Sequence, residues 1–210
     1  MRALSELVSY ILHPIFLPFY AVVLFVWCNP YLWGLPHFSD PISNLKLAFI
    51  NPISGIVLIN SIFFPLVTVF LMRQLDFIDS YKVEDRRQRV LVFMTTSFFF
   101  IWTFMMLKNN YSELLSDILL GATFSLFAAF IINNLFEKIS LHAMGMGGFL
   151  AIVIMALNIT QYDLTNLFLL VIFLGGLVGT ARLILKAHQT REIYTGYMLG
   201  FVCQAFAFIY

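Results

Sequence analysis

Long apolar stretches separated by short polar connectors recur along the whole chain. Stretches of about 17 to 25 apolar residues are long enough for a helix to cross a hydrocarbon core of about 30 Å. Read in windows of about 19 residues, the pattern predicts membrane helices near residues 4–27, 46–72, 90–107, 115–135, 141–158, 164–185 and 190–210. The expected fold is therefore all-α: a polytopic transmembrane helical bundle of six to seven spans that forms a single integral membrane domain over residues 1–210.

The composition also indicates a membrane protein. Of the 210 residues, 61% are hydrophobic and 11% are charged, whereas a soluble domain carries about 25% charged residues. The formal net charge is +1 and no long run of like charges occurs, so nucleic acid is not an expected partner. Cys28 and Cys203 lie far apart and form no CxxC motif. Neither a zinc site nor a disulfide framework is expected.

The distribution of positive charge predicts the orientation of the bundle. In a seven-span arrangement, the N-terminus and the connectors after the second, fourth and sixth helices share one face. Ten of the twelve Lys and Arg residues fall on that face, namely Arg2, Arg73, Lys82, Arg86, Arg87, Arg89, Lys138, Arg182, Lys186 and Arg191. By the positive-inside rule this face is expected to be cytoplasmic, in a bacterial inner membrane.

Three polar clusters are predicted on this face, and the first is the sequence YKVEDRRQRV. Lys82, Arg86 and Arg89 are spaced four and three apart, so they line one face if the segment is helical. Such a stripe can hold an anion. The alternative is a cytoplasmic loop whose cations set the topology and pair with the neighbouring carboxylates.

The second cluster is EKISLHAMGMGG, in which Ser140 and His142 open an apolar helix. Serine is a favoured N-cap, and the free N–H groups and positive dipole end of a helix favour a bound phosphate. His142 is then expected beside the anion. The alternative is a serine cap with an interfacial histidine, in a helix whose glycines allow close packing.

The third cluster contains His188 and Glu192, which are four residues apart and share one face of a helix. A carboxylate that binds one imidazole nitrogen fixes the tautomer and leaves the other nitrogen free to attack an electrophile. Arg182 points away from His188 on a continuous helix, so a shared ligand requires a helix break, predicted near Lys186. The alternative is a set of interfacial residues, with Lys186 and Arg191 extended toward water.

Together the clusters provide the groups that phosphoryl transfer needs. Cations neutralise the phosphate oxygens, one histidine attacks phosphorus in line and a carboxylate orients that histidine. The second histidine protonates the leaving alkoxide. This chemistry requires no metal ion, and no cofactor is expected.

The order and spacing of these residues resemble the type 2 phosphatidic acid phosphatase superfamily, whose signature is KxxxxxxRP, PSGH and SRxxxxxHxxxD. Lys82 to Arg89 matches the first spacing, Ser140-Leu141-His142 gives the Ser-x-His of the second motif, and Arg182, His188 and Glu192 match the third. The motif segments are residues 82–89, 138–142 and 181–192. The chain departs from the signature at five positions, which are Val90, Ile139, Leu141, Ala181 and Glu192.

The resemblance implies a phosphatase core and a role for each matched residue. The residues implied to bind phosphate are Lys82, Arg89, Ser140 and Arg182. His188 is implied to be the nucleophile that forms a phosphohistidine, Glu192 its orienting partner and His142 the general acid. The implied activity is metal-independent hydrolysis of a lipid phosphate or diphosphate, with membrane lipids as surroundings and the oligomeric state left open.

Two other functions fit the sequence less closely. One is a non-catalytic relative that keeps the phosphate pocket for lipid-phosphate binding or transport. The other is a metal-dependent lipid-phosphate transferase, in which magnesium is held by Asp76, Asp79, Glu84 and Asp85.

Overall fold

The computed structural model describes residues 1–28, 35–36, 39–81, 83, 85–111, 113–136, 138–159 and 163–209, with the backbone alone at residues 86 and 87. These residues form helices and connectors and contain no strand, which confirms the predicted all-α fold. The helices are α1 Arg2–Ile11, α2 Leu17–Cys28, α3 Pro41–Ile50, α4 Pro52–Leu58, α5 Phe64–Gln74, α6 Arg86–Asn110, α7 Glu113–Leu135, α8 Leu141–Ile159, α9 Thr165–Ile184 and α10 Thr190–Ile209. A π-helical turn, Ile59–Phe63, joins α4 to α5.

In the described part of the chain, six helices are long and apolar enough to cross a membrane. They are Pro52–Gln74, Gln88–Asn110, Glu113–Leu135, Leu141–Ile159, Thr165–Ile184 and Thr190–Ile209. A seventh apolar helix, α2, is shorter. The chain is therefore an integral membrane protein built as a helical bundle, within the predicted six to seven spans.

The prediction of one helix near residues 4–27 was wrong. Helix α1 ends at Ile11 and α2 begins at Leu17, with Pro14 in the connector between them. Proline has no backbone N–H and its ring clashes with the carbonyl four residues earlier, so a helix rarely continues through it. Hydropathy alone does not detect this break because Pro14 lies within an apolar stretch.

The predicted helix near residues 46–72 is also divided, at Asn51. The Asn51 Oδ1 atom accepts a hydrogen bond from the Ser54 N–H at 3.0 Å, which makes Asn51 the N-cap of α4. Pro52 follows at the first helical position, where its missing N–H costs no hydrogen bond. An Asn-Pro pair therefore ends α3 and starts α4.

Helices α8 and α10 approach each other closely through glycines. A Cβ atom added to Gly200 would overlap the backbone carbonyl of Met144, and one added to Gly147 would overlap that of Tyr197. Small residues at helix interfaces allow the backbones themselves to come into contact. These two glycines therefore bring α8 and α10 closer together than larger side chains would allow.

The close approach continues to the first turns of both helices. A Cβ atom on Gly196 would lie 2.7 Å from the Ser140 carbonyl oxygen. The Ser140 N–H donates a hydrogen bond to the Glu192 carbonyl at 3.2 Å. The residues that open α8 and α10 are therefore adjacent.

We expect Gly200→Ala to destabilise the fold, because the added methyl group would separate α8 from α10. Overpacking of this kind costs about 1 to 3 kcal/mol. Gly176→Ala in α9 is the matched control, since nothing lies within 4 Å of its added Cβ. Thermal unfolding in detergent is expected to show a lower midpoint for Gly200→Ala only, and equal midpoints for the two variants would contradict the packing described above.

Candidate functional site

A cluster of polar residues lies at the end of the bundle where α1 and α9 end and where α8 and α10 begin. We call it the polar cluster, and its members are Ser9, His13, Ser140, His142, Arg182, His188 and Glu192. Consecutive spans joined by short connectors run antiparallel. The connectors at residues 75–85, 136–140 and 185–189 therefore share this side of the membrane, as the sequence predicts.

The predicted helix break near Lys186 is confirmed. Helix α9 ends at Ile184 and α10 begins at Thr190. Lys186 has a φ of 53°, in the left-handed region that ends helices. The Ala187 N–H donates to the Arg182 carbonyl at 3.1 Å, which closes the last turn. The break allows the chain to reverse between Arg182 and His188.

The structure pairs His188 with Glu192. The His188 Nδ1 atom lies 2.7 Å from Glu192 Oε2, and the Gln189 N–H donates to the same oxygen at 3.2 Å. A carboxylate can only accept here, so Nδ1 carries the proton. In a neutral His188 ring, the Nε2 atom then carries a free lone pair. The two side chains are only 10% and 17% exposed, which holds the imidazole in this orientation.

The surroundings of His188 favour its neutral form. Burial lowers the pKa of His188 below its ordinary value. The hydrogen bond to Glu192 opposes this effect, while the positive charges of Lys138 and Arg182 lower the pKa further. A neutral imidazole with a fixed tautomer has the form that a nucleophile requires.

His142 lies in the first turn of α8 and contacts α1. Its Nε2 atom is 3.1 Å from the Ser9 carbonyl oxygen. A carbonyl only accepts, so this nitrogen is the protonated one. The His13 ring packs edge-on against the His142 ring, with centroids 5.0 Å apart and an interplanar angle of 85°.

Two nitrogens of the Arg182 guanidinium differ in their hydrogen bonding. Its Nη1 donates to Ser9 Oγ at 3.0 Å. Its Nε is buried and has no hydrogen-bond partner among the residues that the structure describes. A buried N–H of a charged group without a partner requires an explanation, and an anion or an ordered water is the usual one.

Ser140 is fully buried and caps its own helix. Its Oγ accepts from the Ala143 N–H at 3.4 Å. The structure therefore shows the capping role that the sequence allows, and donation to a phosphate stays a prediction. Lys138, two residues earlier, donates from Nζ to the Ala187 carbonyl at 3.2 Å and so joins the two connectors.

The first predicted motif is only partly described. Lys82 lies outside the described residues. Arg89 is in the first turn of α6, and its Nε donates to the Val83 carbonyl at 3.3 Å. Helix α6 packs mainly against α7, α5 and the π-helical turn. The structure thus brings five predicted residues together (Ser140, His142, Arg182, His188 and Glu192) and places Arg89 on a helix outside that group.

The carboxylates considered as magnesium ligands contact neighbouring side chains and backbone. Asp76 pairs with Arg73 at 3.4 Å, Asp79 accepts from Gln88 Nε2 at 2.6 Å, and Asp85 accepts from the Gln88 N–H at 3.0 Å. Glu84 lies outside the described residues. Among the described residues, no group of three or more His, Cys, Asp or Glu has the geometry to hold a metal ion.

The sequence interpretation missed Ser9 and His13. A signal was present, since Ser5, Ser9 and His13 are spaced four apart and form a polar stripe along the first apolar stretch. Ser5 and Ser9 are buried in the structure, and α1 packs against α9.

His188 is accessible from the membrane surface through an open groove. The groove has a volume of about 370 Å³ and is lined by Leu183, Lys186, Ala187, His188, Gln189 and Glu192. Its lining combines charged and apolar groups, which suits a polar head group.

No family model matches the chain, and no curated protein and no solved structure is significantly similar to it. The proposed function therefore rests on the geometry of the polar cluster and on the motif resemblance.

The protonation of His13 is expected to make the fold less stable in acid. Burial lowers the pKa of His13, and the nearby charge of Arg182 lowers it further. An unfolded histidine titrates at about pH 6.5, so below that pH the unfolded state binds the proton more readily. Stability from this group is fully present above that pH and is lost as pH falls.

We expect the thermal midpoint of the wild type to fall between about pH 7 and pH 5. His13→Asn cannot titrate and is expected to reduce that fall. Midpoints measured in detergent across this range provide the test. The same pH dependence in both proteins would show that His13 is not held neutral.

Proposed function

We propose that this protein is a metal-independent membrane phosphatase that hydrolyses a lipid phosphate or diphosphate through a phosphohistidine on His188. The observation that carries the proposal is the His188–Glu192 pair, with its free Nε2, in an open groove. The positive charge of Arg182 acts on the same imidazole, and the Arg182 Nε is buried without a partner among the described residues. A nucleophile, its orienting carboxylate and an anion-binding cation are the minimum set for this chemistry. The resemblance to the type 2 phosphatidic acid phosphatase superfamily supports the same assignment.

In the proposed first step, Arg182 binds the phosphate oxygens and His188 Nε2 attacks phosphorus in line. A P–N bond forms while the P–O bond to the lipid breaks. His142 acts in its imidazolium form: it gives a proton to the lipid alkoxide and becomes a neutral imidazole. Positive charge on the phosphorylated imidazole is stabilised by the Glu192 carboxylate.

In the second step, His142 accepts a proton from water, and the hydroxide formed attacks the phosphohistidine. The P–N bond breaks, inorganic phosphate is released and His188 returns to its neutral form. Lys82 and Ser140 are proposed to add phosphate contacts, as the motif resemblance implies. Arg89 is left out of this proposal because α6, which carries it, packs mainly against α7, α5 and the π-helical turn. The site is proposed to face the cytoplasm of a bacterial inner membrane, where the positive-inside rule puts the connectors.

We expect purified wild-type protein to release inorganic phosphate from one class of lipid phosphates in the presence of EDTA. His188→Ala is expected to reduce release to background, because the proposed P–N bond forms on the His188 ring that Glu192 orients. Gln189→Ala, in the same groove, is the matched control and is expected to retain activity. Release that requires a divalent metal would favour the transferase alternative, and lipid-phosphate binding without release would favour a non-catalytic binding protein.

The role of His142 has a separate test. His142→Asn keeps a donor for the Ser9 carbonyl but cannot transfer a proton. On a lipid phosphate we expect a loss of about 100- to 10,000-fold in kcat. On nitrophenyl phosphate, whose leaving group departs as a stable anion, the loss is expected to be much smaller. Equal losses on both substrates would exclude His142 as the general acid.

A further inference from the structure

Helix α1 accepts hydrogen bonds from two donor groups that the proposed reaction requires. Ser9 Oγ accepts a hydrogen bond from Arg182 Nη1 at 3.0 Å. The Ser9 carbonyl accepts from His142 Nε2 at 3.1 Å. In the proposed mechanism one of these donors binds phosphate and the other protonates the leaving group. One residue of α1 therefore offers both donors an oxygen in place of a substrate oxygen.

The most deeply buried side chains of α1 are polar, while its apolar Val8 is half-buried against the core. The buried residues of this helix are Ser5 and Ser9, which are 5% and 8% exposed. Leu4, Leu7 and Ile11 are more than half exposed and lie on the other side of the helix, which is the side available to lipid. Moving α1 away from α9 would therefore uncover the half-buried Val8 but no buried apolar side chain of α1, while the exposed side chains could stay in contact with lipid.

Helix α1 is not continuous with α2. The connector that contains Pro14 divides it from α2, whose residues are almost all buried. Pro14 itself lies against Gly145 of α8, where an added Cβ would be 3.3 Å from Pro14 Cβ. The connector is thus held against α8 at Pro14, which would act as the hinge if α1 moves.

We propose that α1 is a lid over the anion-binding site, that Ser9 is its latch, and that a phosphorylated head group enters from the lipid by displacing it. This inference rests on the proposed anion site. A phosphate offers Arg182 and His142 oxygens of the kind that Ser9 offers, with the addition of negative charge, so it can replace Ser9 at both donors. It can also reach Arg182 Nε, which Ser9 leaves without a partner.

Inorganic phosphate is the first probe, added to the full chain in detergent, with hydrogen exchange of the α1 amides as the readout. We expect phosphate to speed exchange across α1 in the wild type and to leave exchange in α8 unchanged or slower. Slower exchange in α1 with phosphate would overturn the proposal, since it would make Ser9 a fixed part of the binding site.

The second arm compares phosphate affinity in Ser9→Ala and in the matched control Ser5→Ala. Ser5 is also buried on the inner side of α1. Both hydroxyls donate within the helix, Ser5 to the Met1 carbonyl and Ser9 to the Ser5 carbonyl, whereas the hydrogen bond from Arg182 Nη1 goes to Ser9. Removing the latch hydroxyl frees Arg182 Nη1 and is expected to lower the Kd by about two- to tenfold. Ser5→Ala is expected to match the wild type. Weaker binding by Ser9→Ala would contradict a latch.

Both readouts are independent of turnover, which keeps the two proposals separate. Faster α1 exchange with phosphate but no hydrolysis of any lipid would support the lid and remove the phosphatase. Hydrolysis that depends on His188 but leaves α1 exchange unaffected by phosphate would support the phosphatase and remove the lid. A shorter or longer lipid chain on the phosphate then shows whether a lipid phosphate opens α1 more effectively than the free anion.

Discussion

The close backbone contact between α8 and α10 determines the geometry of the rest of the polar cluster. Because glycines such as Gly200 carry no side chain, the two helices meet at their backbones, and their first turns lie together. The Ser140 N–H can then bond the Glu192 carbonyl. This places His142, near the start of α8, beside the segment that carries His188. Ordinary side chains would hold helix axes about 8–10 Å apart and separate these groups.

Charged groups at the end of a membrane bundle must each be stabilised locally, and helix ends contribute here. Glu192 lies in the first turn of α10 and Arg182 in the last turn of α9. Each therefore faces the helix end of opposite partial charge. The reversal at Lys186 brings those two ends together, so the carboxylate and guanidinium act on one imidazole. Because the helix breaks here, residues from α9 and α10 can contribute to one site.

The sequence predicted the spans well and their interruptions poorly, for a physical reason. Lipid requires long apolar helices, and that requirement is visible in hydropathy. Breaks at Pro14 and Asn51 depend on local backbone chemistry that an average over many residues hides. The break at Lys186 was predictable because two residues had to reach one ligand. Ser9 and His13 were missed because two polar residues inside an apolar stretch lower its mean hydropathy only slightly.

The proposed anion site carries several N–H donors, and leaving them unpaired in a buried position is costly. Ser9 reduces that cost for Arg182 and His142 without introducing a charge. In the proposed opening, each Ser9 oxygen is replaced by a phosphate oxygen, so the hydrogen bonds lost when α1 moves are regained. A neutral lipid head group brings no charge for Arg182, so displacement of α1 by such a lipid would leave the guanidinium less well stabilised. The same two hydrogen bonds that close the site would therefore make its opening selective for anionic head groups.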